Sequence, residues 1–531
     1  MQSRVAPLVA AVVAAVACVT ALLSGAAAQQ PSGTAQQPNN TKATVAVPRA
    51  TLLPVTGDSH PFGAAAFTQT PIDLKARGYV EEEFSVSGIG AVHDWNADGT
   101  ISTRIPGLLY ATRILVRRPI DVSRFSGTVL LDVANQGAGF DTFAVWGQLG
   151  EHLIANGHAY VALTAFSRNI ASLRMLGRRY ELLMFPPVLQ TCDAARATRR
   201  DPWNRPATFF PQREDDVRWD VINQVGALLK SRTRNNRRHP MGDFRVEYVF
   251  VSMQSAGDLP TYVNAIHRNV MLQNLEPIFD GYIIKDSGAP RALNVCAPPL
   301  AADDPRRIIR NAGAPVIHIV AQPEVSAATR RPDSDAMGDQ FRRYELPGAS
   351  HFDENHFRYF PAVSDLAAAG IPALTATWTY PKECVPDVPV NDFPQHYFFA
   401  GAFENLDRWV RTGAAPPHAE PIALTEGTGD ANVVTDESGN ARGGVRSPWV
   451  DVPNGTFHPR RTGPNTTPFT CADLGYWEPF TPQQMTAKYG SMENYRKLFL
   501  DATDKLARER WVPPDEAEKI KRDFLQKYSA Q

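Results

Sequence analysis

Short apolar runs of five or six residues, separated by helix-like sequence, recur through the middle of this chain. They occupy residues 128–133, 159–164, 246–251, 281–285 and 315–320. Runs this short and this continuously apolar are typical of strands that are buried on both faces, and the helices between them return the chain to the same edge of a sheet. The pattern therefore predicts an α/β fold with a mainly parallel, twisted sheet and helices on both of its faces.

The sequence on either side of these runs predicts further elements. Residues 79–92 and 111–118 carry β-branched and aromatic side chains in partial alternation, which predicts antiparallel edge strands. Two long interruptions, about 167–211 and 352–394, fall at or near the carboxyl ends of the predicted strands. Insertions at that edge commonly build lids and pocket walls, so we expect cap-like segments there.

The C-terminal part of the chain changes character twice. Residues 425–469 are rich in Gly, Asn, Pro and Thr, and a helical pattern follows from about 482 to 528. We expect one catalytic domain over residues 47–531, with the segment 425–531 packed on it. A separate C-terminal domain is the alternative.

The N-terminus is typical of an export signal. Arg4 precedes an apolar stretch over residues 6–23, and three alanines end at Ala28. This layout predicts a signal peptide over residues 1–28 that is cleaved after Ala28, with a retained membrane anchor as the alternative. Residues 29–46 are polar and predict a flexible leader. The protein is then expected in the periplasm or outside the cell.

Charge and hydropathy exclude several kinds of partner. The chain of 531 residues carries 54 basic and 55 acidic side chains, a net charge of −1. Bulk attraction to nucleic acid or to an anionic membrane is therefore not expected. No later segment has about 18 uninterrupted apolar residues, so we expect no stable membrane insertion after processing.

Four cysteines follow the predicted signal peptide: Cys192, Cys296, Cys384 and Cys471. An even number in an exported chain favours two disulfides, but three connectivities are open, and buried free thiols are the alternative. No two of them have the close spacing of a C-x-x-C metal site, so we expect no structural zinc.

The segment before Gly257 predicts a nucleophile. An apolar strand leads into Met253, Gln254, Ser255, Ala256 and Gly257, and a helix-like stretch follows. In a nucleophile elbow the serine lies on a tight turn after a strand, and the residues two positions away must be small. Gly257 satisfies this requirement and Met253 does not. Ser255 is nevertheless the predicted nucleophile, because Ser252 would have two large neighbours, and a plain helix N-cap is the alternative.

A triad of this class needs an acid and then a histidine after the serine, each following a later strand. Glu324 follows the run 315–320, and His351 follows a strand-like stretch and a Gly-containing turn. We predict Glu324 as the acid and His351 as the general base. Asp333 and Asp335 in the same loop as Glu324 are alternative acids.

The oxyanion that forms during acyl transfer needs two backbone N–H donors. One is expected from Ala256, at the start of the helix after the nucleophile. The second is expected from Gln136, in the Gly-rich turn after residues 128–133. The alternative is that these glycines only shape a tight turn.

Several short motifs together resemble the bacterial "alpha/beta hydrolase domain" family, whose elbow reads S-Q-S-A-G. The matching motifs lie at 78–83 (GYVEEE), 112–119 (TRILVRRP), 254–257 (QSAG), 348–351 (GASH), 406–410 (LDRWV) and 488–491 (KYGS). The resemblance covers most of the mature chain and implies an α/β-hydrolase fold that includes the C-terminal segment. The family commonly has serine where this chain has Met253, which removes a rival nucleophile and leaves Ser255.

These residues predict an exported serine hydrolase that cleaves a small-molecule carboxylic ester through an acyl-enzyme, without a cofactor or a metal. An amidase or peptidase would use the same triad. A non-catalytic binding protein on a hydrolase scaffold is the alternative from another functional class.

Overall fold

The computed structural model of the protein describes residues 42–528, except 58, 197–200, 202, 204, 207–209, 232–238, 255–256, 287, 372–388, 426–431 and 461–472. The described residues belong to one compact unit, which spans Lys42–Gln531. The predicted signal peptide, most of the predicted leader, Ser255, Ala256, Cys384 and Cys471 lie outside the described residues.

The strands are β1 (Ala43–Thr44), β2 (Arg49–Leu53), β3 (Tyr79–Trp95), β4 (Ile101–Pro119), β5 (Thr128–Val133), β6 (Ala159–Leu163), β7 (Tyr248–Gln254), β8 (Val270–Met271), β9 (Gly281–Lys285), β10 (Val316–Ala321), β11 (Phe341–Leu346), β12 (Gly455–His458) and β13 (Tyr476–Pro479). Nine of them form one sheet in the order β11-β10-β9-β7-β5-β6-β4-β3-β2. The six strands from β11 to β6 are parallel, and β4, β3 and β2 continue the sheet in antiparallel pairs.

The α-helices are α1 (Ala144–Ala155), α2 (Ser167–Met175), α3 (Asp193–Arg196), α4 (Arg218–Lys230), α5 (Asp258–Thr261), α6 (Glu354–Arg358), α7 (Val363–Ala368), α8 (Gln395–Thr412), α9 (Pro448–Asp451), α10 (Pro482–Tyr489), α11 (Met492–Arg508) and α12 (Pro514–Tyr528). A π-helical turn (Tyr262–Ile266) and a 3-10 turn (His267–Asn269) continue α5.

Helices cover both faces of the sheet. Neighbouring strand residues point to opposite faces, so Val129 and Leu131 join one hydrophobic cluster while Leu130 joins the other. Side chains of α4 and of the helix that begins at Asp258 pack in the first cluster, and those of α1 and α8 pack in the second. The predicted α/β fold, with a mainly parallel sheet and helices on both of its faces, is confirmed.

The two predicted antiparallel strands fall within β3 and β4, which pair with each other over most of their length. Neither is an edge strand, because β4 also pairs with β6 and β2 covers the outer side of β3. The sequence placed the start of β4 ten residues too late, because Pro106 and Gly107 are typical strand breakers. In the structure the register of the pair shifts between Gly90 and Val92, opposite these two residues. A β-bulge therefore accommodates them within a continuous strand.

Ordered structure begins earlier than the sequence predicted. Residues 43 and 44, assigned to the flexible leader, form β1 and pair in parallel with β8. The backbone N–H of Val45 donates to the Met271 carbonyl at 2.9 Å. The polar composition of residues 29–45 hid this short pairing, since only Val45 of the described leader residues is buried.

The two predicted insertions contain helices and are tied to the rest of the fold. The first contains α2 and α3, and the second contains α6 and α7. A disulfide joins Cys192 in the first insertion to Cys296 in the segment that follows β9, with 5.6 Å between the Cα atoms. This bond selects one cysteine pair from the open possibilities.

The C-terminal segment shares a hydrophobic cluster with the sheet and α8. The rings of Phe499 on α11 and Phe524 on α12 stack at 3.9 Å between centroids. Asn405 on α8 donates to the Arg510 carbonyl at 2.7 Å, and a Cβ atom on Gly401 would collide with the Trp511 carbonyl. The absence of a side chain at Gly401 thus permits this close approach.

None of the described helices is both long enough and apolar enough to cross a bilayer.

Candidate active site

Four neighbouring parallel strands bring the candidate catalytic residues to one edge of the sheet. β7, β9, β10 and β11 are adjacent, and each ends at the same edge because all four run in one direction. Asp286 follows β9, Glu324 ends a 3-10 turn after β10, and His351 follows β11 by way of a turn. Residues that are far apart in sequence therefore meet at the carboxyl ends of the strands.

His351 lies beside a buried aspartate that the sequence analysis did not name. Its Nδ1 atom is 3.2 Å from Oδ2 of Asp286, a carboxylate that is 2% exposed. This is an ion-pair contact whose alignment falls short of ideal hydrogen-bond geometry. The other carboxylate oxygen, Oδ1, accepts the backbone N–H of Ala321 at 2.9 Å. Asp286 is thus fixed from two sides.

Glu324, the predicted acid, also faces His351. Its Oε1 atom lies 3.4 Å from Nδ1 of the histidine, and its side chain is 34% exposed. Arg460 lies 3.8 Å from the same oxygen. His351 therefore has two carboxylates near Nδ1, one buried and one partly open to solvent.

The two carboxylates have opposite pKa shifts. Burial alone would raise the pKa of Asp286, but the charges of Lys285 and His351 outweigh it and hold that pKa well below its usual range. Burial raises the pKa of Glu324, and the nearby charge of Asp286 raises it further. Asp286 is therefore the firmly ionised partner of the pair.

These charges also set the pKa of His351. Burial acts to lower it, but the charge of Asp286 and the contact with that carboxylate dominate, so the net pKa of His351 is raised above its usual value. Lys285 opposes this rise and Glu324 adds to it. The environment thus stabilises the imidazolium, the form that a general base acquires when it takes a proton.

Lys285 connects the acid and the histidine. Its side chain is 1% exposed, and its Nζ atom donates to Oδ2 of Asp286 at 2.9 Å and to the backbone carbonyl of His351 at 3.2 Å. A buried ammonium is stable only when it is paired, and this one is paired with Asp286. The lysine therefore holds the loop after β9 against the loop after β11.

The strand that leads to the predicted nucleophile ends beside His351. β7 ends at Gln254, whose Nε2 atom lies 3.5 Å from Nε2 of His351. Gly257 is the N-cap of α5 and has a φ of 99°, and a Cβ atom there would lie 2.5 Å from the Ala289 carbonyl oxygen. The requirement for a small residue at this position is therefore physical.

Ser252 is not available as a nucleophile. It is fully buried within β7, and its hydroxyl donates to the Ile283 carbonyl on β9 at 2.7 Å. Met253 is also buried, in the hydrophobic cluster on one face of the sheet. The serine at 255 is thus the one that immediately follows the strand end next to His351.

The turn that contains Gln136 lies against the same strand end. Asn135 donates from Nδ2 to the Gln254 carbonyl at 2.7 Å, which joins the turn after β5 to the end of β7. Gln136 is half-buried, and its backbone N–H lies in the turn that the Asn135–Thr142 bridge closes. Such an N–H is a suitable donor to an oxyanion.

A buried network of charged and polar side chains holds this turn. Asn169 donates to the Asn135 carbonyl at 3.1 Å and to Oδ1 of Asp141 at 2.7 Å. Arg113 on β4 donates to Oδ2 of Asp141 at 2.8 Å and to Glu83 on β3 at 2.6 Å. Because a movement that separated these buried charges would leave them uncompensated, the network holds the turn in place.

The alternative acids lie elsewhere. Ser334, which lies between Asp333 and Asp335, bridges to Phe341, the first residue of β11, whereas His351 follows the last residue of that strand. Six strand residues separate these ends by roughly 20 Å. Asp333 accepts the Arg343 backbone N–H and lies 3.0 Å from His418, and Asp335 pairs with Arg342 at 2.5 Å. The structure therefore does not bring either residue to His351.

One aromatic side chain of the first insertion also contacts the turn that contains Gln136. Trp203 donates from its indole nitrogen to the Ala138 carbonyl at 2.6 Å. Other insertion aromatics serve as packing, since Phe185 and Tyr359 are buried in the two hydrophobic clusters. Trp203 is thus the described insertion aromatic that adjoins the candidate oxyanion turn.

The sequence matches a model of the family described as "Alpha/beta hydrolase domain" over residues 45–522. The chain belongs to this family. The resemblance inferred from the short motifs is confirmed, and the match includes most of the C-terminal segment. No curated protein sequence matches the chain significantly.

Solved structures of esterases show a distant likeness to this member of the alpha/beta hydrolase domain family. A fungal esterase from Rhizomucor miehei has 10% identity and a TM-score of 0.28, covering 59% of this chain and 87% of its own. A CE15 glucuronoyl esterase from Teredinibacter turnerae has 11% identity and a TM-score of 0.24, covering 54% and 76%. A glucuronoyl esterase from Solibacter usitatus has 8% identity and a TM-score of 0.25, covering 58% and 85%.

Proposed function

We propose that this protein is an exported serine hydrolase that cleaves small-molecule carboxylic esters through an acyl-enzyme. The observation that carries the proposal is the position of His351, with a buried, ionised Asp286 at Nδ1 and the end of the strand before Ser255 at Nε2. A histidine oriented in this way can take a proton from a hydroxyl group at the elbow.

In the proposed reaction, Oγ of Ser255 attacks the ester carbonyl while Nε2 of His351 takes the serine proton. The backbone N–H groups of Ala256 and Gln136 donate to the oxyanion of the tetrahedral intermediate. His351 then gives its proton to the departing alcohol, and the acyl group stays on Ser255. A water molecule, deprotonated by His351, attacks this acyl-enzyme and releases the acid and free Ser255.

We assign the role of triad acid to Asp286, with Glu324 as a second carboxylate that adds to the field at His351. Asp286 is buried, ionised and held by Lys285 and the Ala321 N–H, so its geometry is preorganised. Glu324 is partly exposed and its pKa is raised, so its stabilisation of the imidazolium is weaker. Lys285 is proposed as a positioning residue for Asp286 and His351.

Ester specificity can be tested with matched substrates. For a phenyl ester and an anilide with the same acyl group, we expect kcat/KM to be higher for the ester by at least roughly 10³-fold, or about 4 kcal/mol in transition-state free energy. The reason is that phenolate departs without protonation, whereas the anilide nitrogen must first receive the proton from His351. Equal values for the two substrates would instead identify an amidase, and no turnover of either one in a wide substrate panel would support a binding protein.

Export is the second part of the proposal. It rests on Arg4, the apolar stretch and Ala28 in the sequence, and the Cys192–Cys296 disulfide supports it because such bonds persist in oxidising compartments. We expect the protein isolated from the periplasm or medium of its native cells to begin at Gln29 or at a cyclised form of that residue. Intact-mass measurement checks this, and retention of residues 1–28 would contradict cleavage.

A further inference from the structure

Three side chains with metal-ligand chemistry converge at a place away from His351. His152 lies in the last turn of α1, His158 immediately precedes β6, and Glu404 lies on α8. One ring nitrogen of each histidine and one carboxylate oxygen of Glu404 all lie within 4.8 Å of one another. Both histidines are buried, and the side chain of Glu404 is 38% exposed.

The two imidazoles are stacked with their ring centroids 6.3 Å apart, and outer contacts fix their orientation. Nδ1 of His158 lies 2.7 Å from Oγ of Ser126, which also accepts the Thr128 backbone N–H at 3.1 Å. Nδ1 of His152 faces an acceptor, since Oε1 of Glu516 lies 3.8 Å away, and Asn156 donates from Nδ2 to the His152 backbone carbonyl at 3.0 Å. The Nε2 atoms are therefore the nitrogens left for a ligand, as in metal sites where the second ring nitrogen is fixed by an outer partner.

A simple ion pair explains only part of this cluster. Nε2 of His152 lies 3.1 Å from Oε1 of Glu404, which accounts for two of the three side chains. His158 is 5% exposed, and among the described residues none is hydrogen-bonded to its Nε2 atom. Glu516 lies 3.8 Å from Nδ1 of His152, on the other side of that ring, and pairs with Lys519. Glu516 is therefore not one of the facing groups.

We propose that His152, His158 and Glu404 form a binding site for a divalent zinc-class cation. Two imidazole nitrogens and one carboxylate oxygen suit Zn²⁺, with a water molecule as the fourth ligand in a tetrahedral arrangement. The 3.1 Å separation of Nε2 and Oε1 already fits two ligands about 2 Å from one ion. For all three side chains to reach one ion, His158 must approach the other two ligands by roughly 1 Å. Binding of the cation then releases to solvent the proton that His152 shares with Glu404.

The position of the site gives it a structural role. His158 precedes the first residue of β6, so the cluster lies at the amino ends of the parallel strands, opposite the edge that carries His351. The cation joins α1, the start of β6 and α8, three segments from distant parts of the chain. Cysteine spacing alone predicted no structural zinc, but these ligands are two histidines and a glutamate that lie up to 252 residues apart.

The test uses the full mature chain after removal of metals with a chelator. Titration calorimetry with Zn²⁺ is expected to give one ion per chain, and the melting temperature is expected to rise with free Zn²⁺ as binding to the native state requires. Glu404→Gln and His158→Asn are each expected to raise Kd by at least roughly 100-fold. His458→Asn is the matched control, because His458 and Glu478 form a surface pair 3.2 Å apart, and its Kd is expected to equal that of the parent protein.

The proposal is overturned if the parent chain binds no stoichiometric zinc, or if Glu404→Gln binds it as tightly as the His458→Asn control. Near-ultraviolet circular dichroism checks the fold of each variant. If His158→Asn does not fold, Glu404→Gln decides the outcome, since its amide still contacts His152 and its position is partly open to solvent. None of these measurements depends on ester turnover, so the result is independent of the proposed reaction.

Discussion

Ester turnover is expected to fall by roughly 10⁴- to 10⁶-fold when Ser255 is replaced by alanine, with the fold intact. The hydroxyl of this serine is the proposed attacking group, and alanine removes it while keeping a small side chain in the turn. Steady-state kinetics on a phenyl ester measures the loss in kcat. The same variant is expected to lose covalent labelling by a fluorophosphonate probe, which reacts with activated serines.

Ser252→Ala is the matched control for this variant. Its hydroxyl donates within the sheet to the Ile283 carbonyl, so its removal is expected to cost about 1 kcal/mol of unfolding free energy and to leave kcat nearly unchanged. The assignment of Ser255 fails if Ser255→Ala keeps near-native turnover while Ser252→Ala does not.

The second large effect is expected from Asp286→Asn, which should lower kcat by roughly 10⁴-fold while substrate binding is retained. An amide cannot stabilise the imidazolium by charge, and it can hold the ring in the wrong tautomer.

The pH profile of kcat/KM gives an independent test of the role of Asp286. The pKa of His351 is raised in the parent protein, and only the neutral imidazole can take the serine proton, so kcat/KM is expected to fall as the pH drops through a value above about 6.5. Without the charge of Asp286, burial lowers this pKa, and the acidic limb should move to lower pH.

Three further carboxylate variants complete this experiment. Glu324→Gln is expected to reduce kcat by about tenfold or less, because this side chain is partly exposed and lies 3.4 Å from Nδ1 of His351. Asp333→Asn and Asp335→Asn should be near-neutral for kcat, since both are paired at the far end of β11. A large loss confined to Glu324→Gln, with Asp286→Asn near-native, would transfer the role of acid to Glu324.

The fold was predictable because its strands carry a strong local signal. Continuous apolar runs gave β5, β6, β7, β9 and β10 close to their observed bounds, since burial on both faces leaves little choice of side chain. The pairing of β3 with β4 was predicted, but the first part of β4 was missed. Pro106 and Gly107 lie there in a β-bulge, which can be recognised only from the register with β3. The parallel pairing of β1 with β8 has no local signal, since two residues are too few to show a period.

A site residue was predictable from the sequence only where a single candidate of the required type follows a predicted strand. His351 was predicted from its strand, its turn and its place after the elbow, and the structure puts it beside the end of β7. Asp286, the proposed acid, was not named from the sequence although it directly follows the apolar run 281–285, because the next strand also ends near a carboxylate, Glu324. Sequence order permits either acid, and the choice depends on burial and on Lys285, which appear only in three dimensions.

The disulfide between Cys192 and Cys296 closes a covalent ring around a defined part of the chain. The ring contains α4, β7, the predicted nucleophile turn, β9 and Asp286, whereas His351 lies outside it. A protease that cuts one peptide bond within the ring therefore leaves the two pieces linked through sulfur. A molecule nicked in this way would still hold the proposed serine and aspartate on one covalent assembly with the histidine.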